Sequence, residues 1–173
     1  MKNIFKAIAT SVIVLAAAST SSFAQATATA AASANIITPI SIVKTVDMNF
    51  GNVAVSATIA GTAILAPAGT RTTGGAGGVT LPATAGTVAA ASFTVSGQAS
   101  YTYAITLPTT ATISSGSNTM TVNTFTSTPS TTGALSTGGT QTLTVGATLN
   151  VASGQASGAY TNATGVPVTV NYN

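Results

Sequence analysis

Apolar side chains return at every second position through most of this chain, and nowhere do they hold a helical period. Val166, Val168, Val170 and Tyr172 alternate with Pro167, Thr169 and Asn171, Phe93 and Val95 with Thr94 and Ser96, while Leu143, Val145, Leu149 and Val151 share one parity. Successive side chains of a strand point to opposite faces, so each run reads as a strand with one face buried and the other in water. The polar partners are largely threonine and serine. Threonine's β-branched side chain suits a pleated surface, and its hydroxyl keeps the outer face wet without charge. The alternation is too regular for a chain that forms no core, which sets aside a disordered Ser/Thr/Gly reading.

Further runs extend the pattern. Ile40, Ile42, Val46, Met48 and Phe50 share one parity with Lys44 as the odd member, which predicts a long first strand or two strands broken near Pro39 and Asp47. Residues 61–65 read as a short apolar strand. Beyond Gly97 and Gln98, the residues Tyr101, Tyr103, Ile105 and Leu107 alternate with Thr102, Ala104 and Thr106, the pattern of a hairpin with the Phe93 strand. Met120 and Val122 share a face that Phe125 has left, which predicts a bulge or bend between them. With turns at Pro108, Pro129 and the SSGSN and STGG runs, about seven to nine strands make an all-β, antiparallel, immunoglobulin-like β-sandwich.

The N-terminal residues set the compartment. Lys2 and Lys6 precede an uncharged apolar run over residues 7–18, and Ser22-Phe23-Ala24 supplies small residues for a signal peptidase, so residues 1–24 read as a cleaved signal peptide. A transmembrane helix needs about 20 apolar residues, and neither this run nor any later one offers them. The expectation is export to the periplasm, cell surface or medium, with no direct membrane insertion. Removing 24 of 173 residues leaves 149, which divide into an extension over residues 25–35 and a single domain over residues 36–173. Ala26, Ala28, Ala30, Ala32, Ala34 and Ile36 share one parity, so the extension is either a strand to be donated to a neighbour or a low-complexity linker. There is no cysteine, which leaves burial and main-chain hydrogen bonds to hold the fold.

Beyond residue 24 the charged side chains are Lys44, Asp47 and Arg71, a net charge of 2 − 1 = +1. So neutral a surface favours association over self-repulsion. Two cations do not supply the phosphate contacts of a nucleic-acid binder. Catalysis is disfavoured as well: this part of the chain has no His, Glu or Cys, so its many serines lack a base, and no catalytic residue is assigned. Lys44 and Asp47, three residues apart, read as an exposed ion pair. Zinc wants His or Cys and calcium several carboxylates, so neither metal nor other cofactor is expected. The Gly-rich stretch GTRTTGGAGGV, residues 69–79, lacks the Lys-Ser/Thr and helix of a phosphate cradle and reads as a flexible loop, with Arg71 as its one anion-capable group. SGQAS occurs at residues 96–100 and 153–157, each copy followed by a tyrosine, Tyr101 and Tyr160; a turn preceding a strand, used twice, is preferred to a duplicated ligand site because neither copy carries a charged or metal-binding group.

The succession NIITPISIV, MNFGNV, GTRTTGG, ASFTVSGQASYTYAITLP, GGTQTLTVGATLNV and PVTVNYN resembles the domain-of-unknown-function 4402 (DUF4402) family of exported bacterial proteins, over nearly all of the chain beyond residue 24. In broader shape the chain is similar to chaperone-usher pilins and spore-coat-U-type subunits. That likeness implies an incomplete sandwich whose missing strand comes from a periplasmic chaperone and then from the N-terminal extension of the next subunit. It implies as partners copies of itself or related subunits, with an outer-membrane usher. Pilins commonly carry a disulfide, which this cysteine-free chain does not share. The function expected is a secreted structural subunit of a fimbria-like filament or surface layer. The alternative is a stand-alone secreted binding or adhesion module for a surface polysaccharide, with Phe50, Phe93, Phe125, Tyr101, Tyr103, Tyr160 and Tyr172 as the aromatic supply and no tryptophan.

Overall fold

The computed structural model describes residues 25–173; the signal peptide assigned to residues 1–24 lies outside the described residues. Residues 25–35 have no regular structure and are exposed throughout, while Ile36–Asn173 forms one compact unit. Every element in that unit is a strand: β1 (Ser41–Val46), β2 (Ala54–Val55), β3 (Gly61–Leu65), β4 (Arg71–Gly74), β5 (Val79–Thr80), β6 (Ala91–Ser96), β7 (Thr102–Thr106), β8 (Thr110–Ser115), β9 (Asn118–Thr128), β10 (Thr132–Ala134), β11 (Thr140–Val151) and β12 (Thr169–Tyr172). Several are shorter than the sequence pattern resolves, which is why there are more than expected. All pairings are antiparallel.

The unbroken parity of Leu143, Val145, Ala147, Leu149 and Val151 makes β11 a long strand with one buried face. Along one edge it pairs with β9 through residues 144–150. Along the other, residues 140–145 pair with β6 and residues 147–151 with β3. β1 then extends the sheet beyond β6, β4 beyond β3, and β8 beyond β9, giving seven strands. A second sheet runs β10-β7-β12, and β2 and β5 form a short ribbon. One core cluster joins Phe93, Val95, Leu143 and Val145 of the large sheet to Tyr103 and Val170 of the second, so the two sheets pack face to face as an antiparallel β-sandwich. Another joins Ala63, Leu65, Val122, Ala147, Leu149 and Val151 to Phe50 and Val79.

Gly146 stands where β11 exchanges β6 for β3. A Cβ here would overlap the Leu65 carbonyl oxygen and lie 2.6 Å from the Ala66 carbonyl carbon and 2.7 Å from the Pro67 nitrogen. Opposite it, β9 inserts one extra residue between its pairings with Gly146 and Thr148, and Thr124 there has φ 48°. This is the bulge that the parity switch between Val122 and Phe125 predicts. It lets both halves of β9 bury their apolar residues on the same side.

The first strand takes the broken alternative: β1 begins just after Pro39 and stops before Asp47, and the inserted Thr45 shifts its register with β6 and turns Val46 outward, off the expected parity, to 43 % exposure. Two further expectations need correction. β6 and β7 do not form a hairpin, since β6 pairs with β1 and β11 whereas β7 pairs with β10 and β12. Residues 97–101 instead carry the chain across from one sheet to the other, with Ser100 at φ 64°. The Gly-rich stretch is not a loop throughout, because Arg71–Gly74 pairs with β3 before the glycines turn the chain into β5.

Outward-facing residues follow from the registers. Thr142 stands beside Thr94, Thr144 beside Ser92 and Thr128, and Asn150 beside Thr62 and Thr121, so the outer face of the large sheet is largely uncharged hydroxyl and amide.

Gly146→Ala should lower stability by about 3 kcal/mol, because the new methyl meets main chain that has nowhere to move, whereas Gly138→Ala, whose Cβ would lie 3.6 Å from Ser136 Oγ, should change it by less than about 0.5 kcal/mol. Urea unfolding of both variants measures the difference. A second expectation concerns pH. Tyr103 is fully buried, its hydroxyl donates to Gln141 Oε1 at 2.8 Å, and burial raises its pKa above 10.0. An acid whose folded pKa is raised stabilises the fold fully below its unfolded pKa and loses that contribution as pH rises through the folded one. Urea midpoints should therefore fall from about pH 9 to about pH 11, and Tyr103→Phe should remove this component of the fall.

Candidate functional site: the open edge of the second sheet

Pro167 lacks an amide hydrogen, and the terminal ladder begins two residues after it, so β12 covers only the last part of the alternating run. Within it Val170 is buried, and Val168 and Tyr172 pack half-buried against the same cluster. Val166 is half-buried and lies outside both clusters.

Hydrogen-bond alternation shows what β12 leaves unpaired. The Asn173 amide donates to the Thr102 carbonyl, so the ladder bonds between β7 and β12 fall at Asn173, Asn171 and Thr169. The main-chain groups of Val170 and Tyr172 point the other way, out of the sheet. At the sheet's far side β10 is closed: its outward amides at Thr132 and Ala134 donate to the Ser130 carbonyl and to Gln141 Oε1. Among the described residues β12 pairs with β7 alone.

The large sheet treats its edges differently. Lys44 of edge strand β1 pairs across from Phe93, which puts it on the core-facing side, where its ammonium bonds the Asp47 carboxylate. Both side chains are exposed, as the spacing suggests. Arg71 opens edge strand β4, and its Nη1 donates to the carbonyls of Phe50 and Asn52, pinning the segment that follows β1. On β8, Ser114 exchanges two main-chain bonds with Thr161. A charge at an edge obstructs strand addition, because the incoming strand would have to desolvate it. β12 has no such guard.

Tyr172 fixes the end of this edge. Its hydroxyl accepts from the Gln98 amide at 2.6 Å and donates to the Thr38 carbonyl at 2.7 Å, while Gln98 Oε1 accepts from the Thr38 amide at 3.3 Å. Gly97 makes room for the phenol, since a Cβ there would overlap it. Tyr101, which the alternation places with Tyr103, lies instead 44 % exposed and edge-on to Tyr172 at 5.8 Å. Sequence reasoning missed Gln98, whose role was hidden inside an apparent turn. Of the donor-parity residues, Ala26, Ala28, Ala30, Ala32 and Ala34 are exposed in the extension, and Ile36 is 93 % exposed.

Tyr172→Phe should lower stability by about 1–3 kcal/mol, since the Gln98 amide loses its acceptor. Hydrogen exchange should accelerate at Gln98 and Thr38, with Leu143 and Leu149 changing only with the global stability.

No curated protein matches this chain, and no solved structure does. The family model described as domain of unknown function DUF4402 matches residues 40–172, a span that runs from just before β1 to Tyr172 and takes in every strand described above. The chain belongs to the DUF4402 family.

Proposed function

We infer that this protein is a secreted structural subunit of a fimbria-like filament or cell-surface layer, assembled by β-strand addition at the edge of β12. The observation that carries the reading is the open edge itself, where the main-chain groups of Val170 and Tyr172 point away from β7. A strand laid there gains main-chain hydrogen bonds worth about 1 kcal/mol each net and extends a sheet whose inner face is already apolar. The donor is the extension of another copy. Residues 25–35 are exposed and in neither helix nor strand, and the shared parity of Ala26, Ala28, Ala30, Ala32, Ala34 and Ile36 gives a strand formed from them one small apolar face. A periplasmic chaperone that holds the same edge before assembly, and an usher that exchanges it, complete the scheme. The role needs no catalytic group.

Deleting residues 25–35 should leave a folded protein that stays monomeric in size-exclusion chromatography, because the donor acts between chains. Ala30→Asp in the full chain should also block assembly, since an unpaired buried carboxylate costs several kcal/mol. Filaments of normal appearance in negative-stain microscopy of the deletion variant would overturn the donor role and leave edge-to-edge pairing in its place.

A further inference from the structure

Across β3, β11 and β9, Thr62, Asn150 and Thr121 form one row on the outer face of the large sheet. A cleft of 510 Å³ opens over this row, with Gln155 from the turn after β11 on one side and Gly75 and Ala76 among its other lining residues. It is wide open to solvent, so a ligand there would be covered on one face only. Among the described residues no ionisable side chain lines it.

The polar groups are oriented in advance. Asn150 Nδ2 donates to the Thr121 carbonyl at 3.2 Å. Gln155 Nε2 donates to the Thr119 carbonyl at 3.2 Å and to Tyr160 Oη at 2.8 Å, and that hydroxyl in turn donates to the Ala156 carbonyl at 2.8 Å. Both carboxamides are thus anchored through their nitrogens, with the second N–H of Asn150 and the carbonyl oxygens of both left for a ligand beside the Thr62 and Thr121 hydroxyls. The exposed side chains of Ala60, Ala76 and Ala152 add small apolar surface to the lining.

This chemistry selects among ligands. An anion would find no cation to pair with, since among the described residues the cleft lining has none. Hard cations want carboxylates, and the cleft has none. A wholly apolar ligand would strand the two carbonyl oxygens without donors. A peptide strand would find no open edge here, since β3, β11 and β9 are paired on both sides at this row or covered by β4 and β8. What fits is an uncharged molecule that offers several hydroxyl donors and an aliphatic face. We propose that this cleft binds one or two units of a neutral saccharide, making the protein a glycan-binding subunit. The site lies on a different sheet from β12 and does not depend on strand addition.

The test is an NMR titration of the exported protein with maltohexaose, cellohexaose and chitohexaose, with hexagalacturonate as the acidic counterpart. At least one neutral hexasaccharide should shift the amide signals of Thr62, Thr121 and Gln155 saturably, and hexagalacturonate should not. Thr62→Val and Thr121→Val should each weaken binding about tenfold, the effect of one lost hydrogen bond, with unchanged unfolding midpoints. Thr142→Val, on the same face but away from the cleft, should bind normally. No saturable shift at these residues with any neutral hexasaccharide up to about 10 mM overturns the proposal, as does equal binding of hexagalacturonate or indifference to both cleft substitutions.

Discussion

β11 hydrogen-bonds along both edges and changes partner in the middle of one of them, from β6 to β3 at Gly146. Its inward residues serve two cores in sequence: Leu143 and Val145 meet the second sheet, and Ala147, Leu149 and Val151 meet Phe50 and Val79. Without a disulfide, nothing covalent joins those cores beyond the chain itself. The exchange at Gly146 is what lets one strand hold both, and it requires a residue without Cβ because the end of β3 turns away against it. The bulge at Thr124 is the matching adjustment on β9, since Val122 belongs to one core while Phe125 packs against both.

Charge is placed with similar economy. A lysine and an arginine are the cations beyond residue 24, and they stand on the two strands that end the β1-β6-β11-β3-β4 path. Lys44 and Asp47 are too exposed to add much to stability, so their effect is on what approaches the edge. Arg71 does more for the fold, because its guanidinium satisfies two carbonyls of the segment linking β1 to β2. The second sheet closes β10 with Gln141 and Ser130 and leaves β12 without a comparable device.

Parity was the legible part of the sequence. It identified the buried faces of β6 and β11 and the need for a bulge before Phe125, because a residue's side of the sheet is a local property of the chain. Partners are not local. The runs around Phe93 and Tyr103 have the form of a hairpin, yet they belong to opposite sheets, and the difference lies in Gly97, Ser100 and the Tyr172 phenol from far along the chain. For the same reason Val170 could be assigned to the core, while the openness of its edge depends on which strands lie beside β12, and among the described residues only β7 pairs with it. The cleft was hidden more thoroughly. Thr62, Thr121 and Asn150 belong to three separated strands, and Gln155 sits in a repeat whose two copies differ in what their tyrosines do.

The two copies of SGQAS serve different ends of the fold. In the first copy the Gln98 amide and carboxamide hold Tyr172 and Thr38 at the end of β12, and Tyr101, the tyrosine after it, packs edge-on against Tyr172. In the second, Gln155 bonds Tyr160 from its own turn, so the side chain is anchored locally beside the cleft. One pentapeptide thus braces the edge proposed for assembly and the other orients the group proposed to meet ligand. Because β12 lies in the second sheet and the row of Thr62, Asn150 and Thr121 on the outer face of the large one, a strand added at β12 leaves that row uncovered. A polymer built in this way would display the neutral cleft once per subunit, so weak affinity for one saccharide unit would be multiplied by repetition along the polymer.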